Sequence, residues 1–155
     1  MASADAPTDR LRDLLEEIVE ALDLEAEVGV SEDAETLTGV IDGEDVGLLI
    51  GRHGQTIDAL QHLAVRIAYR GDGDRKRVVV DAGGYRARRE EALLRQADQA
   101  ASEAIQYGRA VPLDAMVAAE RRIVHEHLRD RHDIETYSEG DEPDRRLVVA
   151  PVVAA

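Results

Sequence analysis

Two glycines three residues apart, Gly51 and Gly54, enclose a basic pair, Arg52 and His53. The spacing alone is close to chance in a chain with 12 glycines, so its surroundings carry the information. An apolar run ends at Ile50 directly before the first glycine, and a strong helical pattern begins directly after the second. Glycines at such a corner leave the backbone N–H groups at the start of the second helix open to a sugar-phosphate chain. The sequence therefore predicts a phosphate-binding loop; the alternative is a tight corner between two helices that binds no ligand.

A second pair, Arg121 and His125, stands four positions apart in a predicted helix and therefore lies on one face of it. A guanidinium and an imidazole at this spacing can bind one phosphate or a terminal nucleotide together. Three further arginines could join the same surface, namely Arg122, Arg145 and Arg146. The alternative is that the pair is an ordinary feature of an exposed helix and has no ligand.

Three histidines and a carboxylate near the C-terminus raise the question of a metal site: His125, His127, His132 and Asp133. Residues two apart on a helix diverge by about 200°, so His125 and His127 do not point at the same ion. No nucleophile elbow, Walker loop or recognisable carboxylate pair is present, and the chain has no Cys. We therefore predict no catalysis, no metal and no cofactor.

Charge is distributed unevenly along the 155 residues, whose formal net charge is −14. Residues 1–50 carry −13, residues 51–95 carry +4 and residues 96–155 carry −5. The positive stretch begins at the glycine loop, which indicates a local basic surface for phosphates on an acidic body. Its basic run consists of Arg75, Lys76 and Arg77. The alternative is an acidic, well-solvated protein whose arginines only pair with surface acids.

Composition excludes several classes of protein. The chain has no Phe, no Trp and only four Tyr, which excludes nucleic-acid readers that depend on stacked aromatic side chains. No apolar stretch approaches the ~18 residues of a membrane-spanning helix. The N-terminus also lacks the basic start and apolar segment of a secretory signal. We expect a cytoplasmic protein.

Hydrophobic periodicity predicts helix, strand, strand, helix, helix and strand in the first half of the chain. Their expected ranges are 8–24 with Thr8 as cap, 25–30, 35–41, 45–50, 55–69 and 75–81. The first helix carries an apolar stripe made of Leu11, Leu14, Leu15, Ile18, Val19 and Leu22. The helix after the glycine loop is expected to turn inward Ile57, Leu60, Leu63, Ala64 and Ile67.

The second half begins with a long helix predicted over residues 85–107, which ends at Gly108. Pro112 and Leu113 lead into a helix predicted over residues 114–129, with Asp114 as its cap. Two strands follow, over residues 134–137 and 146–149, joined by a polar loop. The break between the halves is expected at residues 82–85, where Gly83 and Gly84 stand together.

Residues 50–68, IGRHGQTIDALQHLAVRIA, resemble the KH motif of the bacterial Jag (KhpB-like, SpoIIIJ-associated) family of RNA-binding proteins. PLDAMVAAERRIVHEHL and ETYSEGDEPDRRLVVAP resemble the R-3-H domain of the same family, with Arg121 and His125 as the signature pair. The resemblance covers nearly everything from about residue 9 onward. It implies an α+β (broadly α/β) chain with a type II KH domain over residues 9–82, after a tail of residues 1–8. An R-3-H domain over residues 83–155 would follow, including a connecting helix over residues 84–107.

The resemblance implies single-stranded RNA binding, by a chaperone or post-transcriptional regulator linked to cell elongation and envelope growth. RNA contacts in the KH half would come from Ile50, Gly51, Arg52, His53, Gly54, Gln55 and Ile57. A small single-KH protein is the implied partner, and single-stranded DNA is an alternative ligand. The competing class is a protein-interaction module that binds a basic partner through the acidic residues 13–27.

The chain departs from the family pattern at two points. Family members tend to have a basic residue where His53 stands, and a histidine carries less positive charge at neutral pH than such a residue. Many members also have an additional small N-terminal domain, whereas this chain starts almost at the first KH helix. Arg52 is therefore expected to supply most of the positive charge of the loop.

Overall fold

A computed structural model of the chain describes residues 6–71 and 73–153. The chain divides into two compact units, Met1–Arg86 and Ala87–Ala155, called here the N-terminal and the C-terminal unit. Each unit has its own hydrophobic core. Within the described ranges, no helix combines the length and the apolar character that crossing a bilayer requires.

The N-terminal unit has the predicted order of elements. They are α1 (Pro7–Ala21), β1 (Ala26–Glu32), β2 (Thr36–Gly43), α2 (Gly47–Ile50), a 3₁₀ turn (Arg52–Gly54), α3 (Gln55–Ala68) and β3 (Arg77–Ala82). The strands form one sheet in the order β1-β2-β3, with β2 antiparallel to β1 and parallel to β3. The α-β-β-α-α-β order of a type II KH domain is therefore confirmed.

The core of this unit lies between the sheet and the two longer helices. From β2 the buried residues are Leu37, Gly39 and Ile41, which alternate along the strand and face the helices. A Cβ on Gly39 would lie 2.5 Å from Leu15 Cδ1 on α1, so a larger residue here would force the Leu15 side chain to move. From α3 the buried residues are Ile57, Leu60, Ala64 and Ala68. Leu63, predicted to turn inward, is 45 % exposed, and that prediction is wrong.

The start of α1 differs from the prediction. Thr8 is not its cap: the N-cap is Ala6, and Pro7 takes the first helical position. Proline suits that position because its fixed φ is already helical and the N–H it lacks would have no helical partner. At the other end the helix stops at Ala21, so Leu22 is 42 % exposed and does not continue the buried stripe.

The C-terminal unit packs helices against a second sheet. Its elements are α4 (Tyr85–Tyr107, whose first two residues belong to the N-terminal unit), β4 (Val111–Ala115), α5 (Ala118–Leu128), β5 (Ile134–Glu139) and β6 (Arg146–Pro151). The strand order is β4-β6-β5, and both pairings are antiparallel. Gly108 ends α4 with a left-handed φ of +61°, as predicted.

The predicted helix from Asp114 is wrong in its first turn. Residues 111–115 form β4, and α5 begins only at Ala118 with Val117 as its N-cap. Every second residue of β4 is more exposed, and Val111 pairs with Val149 of β6. Pro112 is tolerated because β4 is an edge strand of the sheet. Pairing with a strand more than thirty residues away therefore prevails over the local helical pattern.

Candidate nucleic-acid interface

The GRHG loop, residues 51–54, turns the chain sharply between α2 and α3. Three of its residues have left-handed backbones: Gly51 has φ +70°, His53 φ +53° and Gly54 φ +80°. Gly54 is the N-cap of α3, and no side chain caps the helix there. The positive end of the dipole of this 14-residue helix therefore lies at the loop. The Gly54 and Gln55 N–H groups already donate to Gly51 O and Arg52 O, so these two are not open to a ligand as the sequence predicted.

Both glycines are required by packing inside the protein. A Cβ on Gly51 would overlap Thr56 Oγ1, and a Cβ on Gly54 would lie 2.6 Å from Tyr85 Cε1. From the sequence, these glycines were predicted to let a ligand approach the backbone closely. The structure shows that their missing Cβ atoms first of all make room for Thr56 and Tyr85. Substitution of either glycine is expected to disturb the loop itself, so it does not isolate ligand contacts.

The side chains between the glycines point to solvent. Arg52 and His53 are both exposed, and neither side chain has a hydrogen bond or ion pair within residues 6–71 and 73–153. Gln55 is exposed and Ile50 is half-buried. Ile57 is fully buried, so it supports the loop from the core and does not contact RNA directly, which corrects the RNA contact predicted for it.

An apolar side chain that was not predicted as a site residue lies exposed beside this loop. Leu48 on α2 is 61 % exposed, although its neighbours Val46 and Leu49 are buried. α2 has only four residues, which is too short for a helical pattern of apolar residues to show in the sequence. The sequence therefore could not show which of these apolar side chains is exposed. Leu48 and Ile50 thus offer aliphatic surface immediately before the loop.

A second missed feature is the arginine that supports α3, Arg86. Its guanidinium donates to Val80 O (2.8 Å), Asp58 Oδ1 (2.9 Å) and Gln61 Oε1 (3.0 Å). Gln61 Oε1 also accepts the Val80 N–H at 3.0 Å. Side chains therefore bond both backbone groups of Val80 at the outer edge of β3. Together with Tyr85 under Gly54, this network fixes the first turns of α3. Arg86 lies within the positive stretch of residues 51–95, and its position in the sequence gives no sign of this role.

The predicted basic path does not continue from the loop. Arg77 begins β3, and β3 starts beyond the C-terminal end of α3, whereas the GRHG loop lies at the N-terminal end. A helix of 14 residues is about 20 Å long, so roughly that distance separates the two basic groups. Lys76 Nζ lies 2.8 Å from Glu32 Oε1 and donates to Asp33 O at 2.6 Å. The hydrogen bond to Glu32 raises the pKa of Lys76. Arg75 donates to Gly71 O at 3.2 Å.

In the C-terminal unit, Arg121 and His125 lie one turn apart on α5 in different surroundings. Arg121 is only 8 % exposed, and its guanidinium donates to Met116 O (2.7 Å) and Glu142 Oε1 (2.8 Å). His125 is exposed, and its Nδ1 hydrogen-bonds with Thr136 Oγ1 on β5. The two residues do lie one turn apart on the same helix, as their spacing predicts. Of the two side chains, however, only that of His125 is open to solvent.

The three further arginines predicted for this surface all have partners. Arg122 pairs with Glu126 at 2.9 Å, which lowers the pKa of that carboxyl group. The guanidinium of Arg145 donates to Gly140 O at 2.9 Å, and Arg146 lies 3.2 Å from Glu139. Arg89, which was not predicted as a site residue, donates two hydrogen bonds to the Glu120 carboxylate. These bonds connect α5 to α4.

The histidines of this unit have separate polar contacts. His127 Nε2 lies 2.8 Å from Asp98 Oδ1 on α4, whereas His125 contacts Thr136 on β5. In the part of the chain that the structure describes, no group of three His, Asp or Glu side chains is placed to hold a metal ion.

Known proteins match both units. A family model of the KhpA/KhpB KH domain matches residues 8–81, and a model of the R-3-H domain matches residues 91–151. The RNA-binding protein KhpB of Bacillus subtilis (strain 168) is 36 % identical over 146 residues, which are 93 % of this chain and 70 % of that protein. The chain belongs to the KhpB family. The GRHG loop lies in the KhpA/KhpB-type KH part, and the Arg121–His125 pair lies in the R-3-H part, as the resemblance implied.

Other KhpB relatives are longer than this chain. The RNA-binding protein KhpB of Lactiplantibacillus plantarum is 39 % identical over 140 residues, which are 90 % of this chain but 44 % of that protein. The relative of the same name from Clostridium symbiosum is 33 % identical over 144 residues, 92 % of this chain and 65 % of that protein. The chain thus spans less than half of the first relative and about two thirds of the second.

Proposed function

We propose that this chain binds single-stranded RNA through the GRHG loop and acts without catalysis. The observation that carries the proposal is the pair of exposed basic side chains, Arg52 and His53, on a left-handed turn at the uncapped start of α3. Its KhpB relatives are named RNA-binding proteins, which supports the same ligand.

The loop can bind a phosphate by three kinds of interaction. The α3 N-terminus contributes the partial positive charge of the helix dipole, while the Gly54 and Gln55 N–H groups already donate to Gly51 O and Arg52 O. Arg52 adds a charge-assisted hydrogen bond to a phosphate oxygen. His53, held at φ +53°, adds a ring N–H donor one residue further along. A sugar-phosphate chain lying across the turn would therefore meet the positive end of the helix dipole and donors from both side chains.

The bases are expected to face aliphatic side chains. Leu48 and Ile50 lie on α2 directly before the loop, and the chain has no Phe or Trp to form a stacking platform. A KH domain binds about four nucleotides across its loop, and these must be unpaired for their bases to reach such a groove. This arrangement favours a single strand over a duplex.

The C-terminal unit supplies a second contact in this proposal. His125 is exposed on α5, and Arg122 stands exposed beside it on the same helix. Arg145 and Arg146 lie at the start of β6, and both use part of their guanidinium for contacts within the protein. RNA contacts here are expected to be weaker than at the GRHG loop, because carboxylates already neutralise Arg122 and Arg146.

Several finer points rest on the resemblance or on composition and stay predictions. They are competition by single-stranded DNA, a small single-KH partner, a cytoplasmic location, a role as chaperone or regulator, and a link to cell elongation. We also keep as a proposal that the KH part ends near residue 82 and that the basic run at residues 75–77 makes additional RNA contacts.

Salt dependence tests the proposed ligand. Binding of a short single-stranded RNA should weaken steeply between low and moderate NaCl, with log K falling by about 0.7 per phosphate contact for each unit of log salt. A blunt duplex of the same RNA should bind at least about tenfold more weakly, since its bases are paired. The measurement is fluorescence anisotropy over a NaCl series.

The same assay separates the competing class of function. A protein-interaction module that uses the acidic residues 13–27 would bind a lysine-rich peptide and leave single-stranded RNA unbound at every salt concentration. That outcome, or equal affinity for the strand and the duplex, would contradict the proposal.

A further inference from the structure

Arg121, one of the two residues for which the R-3-H domain is named, has the most buried charged side chain among the described residues. Its side chain is 10 % exposed, whereas that of its acidic partner Glu142 is 57 % exposed. Two of its N–H groups already have acceptors, at 2.7 Å and 2.8 Å. A guanidinium in this position has little free surface to offer to an RNA phosphate.

The two acceptors come from separate segments of the C-terminal unit. Met116 O lies in the connection between β4 and α5, and Glu142 lies in the loop of residues 140–145 that joins β5 to β6. The Met116 N–H also donates to Arg145 O at 3.1 Å, so the same two segments are joined by a backbone hydrogen bond. Arg121 therefore ties the start of α5 to the hairpin loop.

This loop carries a basic side chain that does reach the surface. Arg145 is half-buried, and one of its guanidinium nitrogens donates to Gly140 O across the loop. One turn after Arg121, the exposed His125 contacts Thr136 on β5 of the same hairpin. The placement of Arg145 thus depends on the loop that Arg121 holds, and His125 stands on the same helix.

We propose that Arg121 is a positioning residue: by bridging Met116 O and Glu142 it orders loop 140–145, and His125 and Arg145 make the RNA contacts of this unit. The inference rests on the proposed function, because it concerns how the same RNA is bound. It replaces the direct phosphate contact that the Arg121–His125 spacing first indicated.

The two roles of Arg121 predict opposite effects of removing Glu142. If Arg121 were the phosphate ligand, Glu142 would compete with the RNA for its guanidinium, and E142A would strengthen binding. If Arg121 positions the loop, E142A removes one of its two anchors and weakens binding. Loss of any acidic side chain near RNA strengthens binding somewhat, so the comparison needs a variant with the same change of charge.

D141A is that matched control, because Asp141 is the exposed neighbour of Glu142 in the same loop. The Asp144 N–H donates to the backbone carbonyl of Asp141 and not to its carboxylate, so D141A keeps this bond. We expect the full chain with E142A to bind a short single-stranded RNA about 3- to 10-fold more weakly than the chain with D141A, as loss of a charged hydrogen bond predicts. The salt slope should be equal in both variants, since the loop of E142A must first be ordered on binding but then makes the same phosphate contacts. Binding is measured well below the melting temperature of each variant, so that a purely stabilising role of Arg121 would leave affinity unchanged.

A second variant, R121K, keeps the charge but cannot bridge two acceptors with a planar fork. It should bind RNA more weakly than the wild type by a similar factor. E142A binding as tightly as D141A or more tightly would overturn the positioning role while the wild type still binds RNA. Absence of RNA binding by the wild type would instead overturn the proposed function, and this inference with it.

Discussion

The R52D/H53D variant is expected to bind single-stranded RNA about 100-fold more weakly than the wild type, because a charge-assisted phosphate contact is lost and two negative charges face the backbone. Both side chains are exposed and have no partners in the described part of the chain, so their removal leaves no buried group unsatisfied. Aspartate also tolerates the left-handed conformation of His53 better than most residues do. The fold should therefore survive, and thermal unfolding should change little.

The matched control for this variant changes the same types of side chain elsewhere on the N-terminal unit. His62 and Arg66 are both exposed and lie on α3 beyond its first turns. H62E/R66E gives the same change in net charge, and glutamate is well tolerated within a helix. Anisotropy with the same RNA should show a loss of no more than a few fold for the control. Equal losses for the two variants would mean that the overall charge of the unit governs binding and that the loop does not.

The G54A variant is expected to lower the free energy of unfolding of the N-terminal unit by about 2–5 kcal/mol. A left-handed backbone costs an alanine about 1–2 kcal/mol, and forcing an extra methyl group into a packed site costs about 1–3 kcal/mol more. The packed neighbour is the Tyr85 ring, 2.6 Å from the position of the new Cβ. Urea unfolding followed by far-ultraviolet circular dichroism measures the effect.

A second glycine of the same region gives the control for this prediction. Gly47, the first residue of α2, has no heavy atom within 4 Å of its Cβ position, so G47A should leave stability unchanged or raise it by up to about 1 kcal/mol. The double variant G54A/Y85A should show a favourable coupling, since removal of the ring relieves the overlap. A G54A variant as stable as G47A would show that Tyr85 does not restrict the loop.

The elements with strong local patterns could be predicted from sequence. The buried stripe of α1, the long α4 and its end at Gly108 all follow from periodicity and from the conformational freedom of glycine. The GRHG loop was located because an apolar run and a helical pattern border it closely. These signals lie within a few residues of the feature they predict.

Features that depend on distant partners could not be predicted. Strand β4 contains a proline and exists because β6 pairs with it. The burial of Arg121 depends on where the hairpin places Glu142, and the need for Gly54 depends on Tyr85, 31 positions further along. The net charge of residues 51–95 was predicted as one surface, but the fold sends its basic groups to opposite ends of α3. The spacing of residues along the sequence does not show which distant residues the fold brings into contact.

The central claim is that RNA binds at the start of α3, and a ¹H–¹⁵N chemical-shift titration of the full chain with a short single-stranded RNA tests it most directly. The largest shifts are expected at the backbone amides of residues 51–57, with smaller shifts at His125 and in loop 140–145. The affinity fitted from the shifts of residues 51–57 should fall as the NaCl concentration is raised. Shifts confined to the acidic residues 13–27, or an unchanged GRHG loop at saturating RNA, would contradict it.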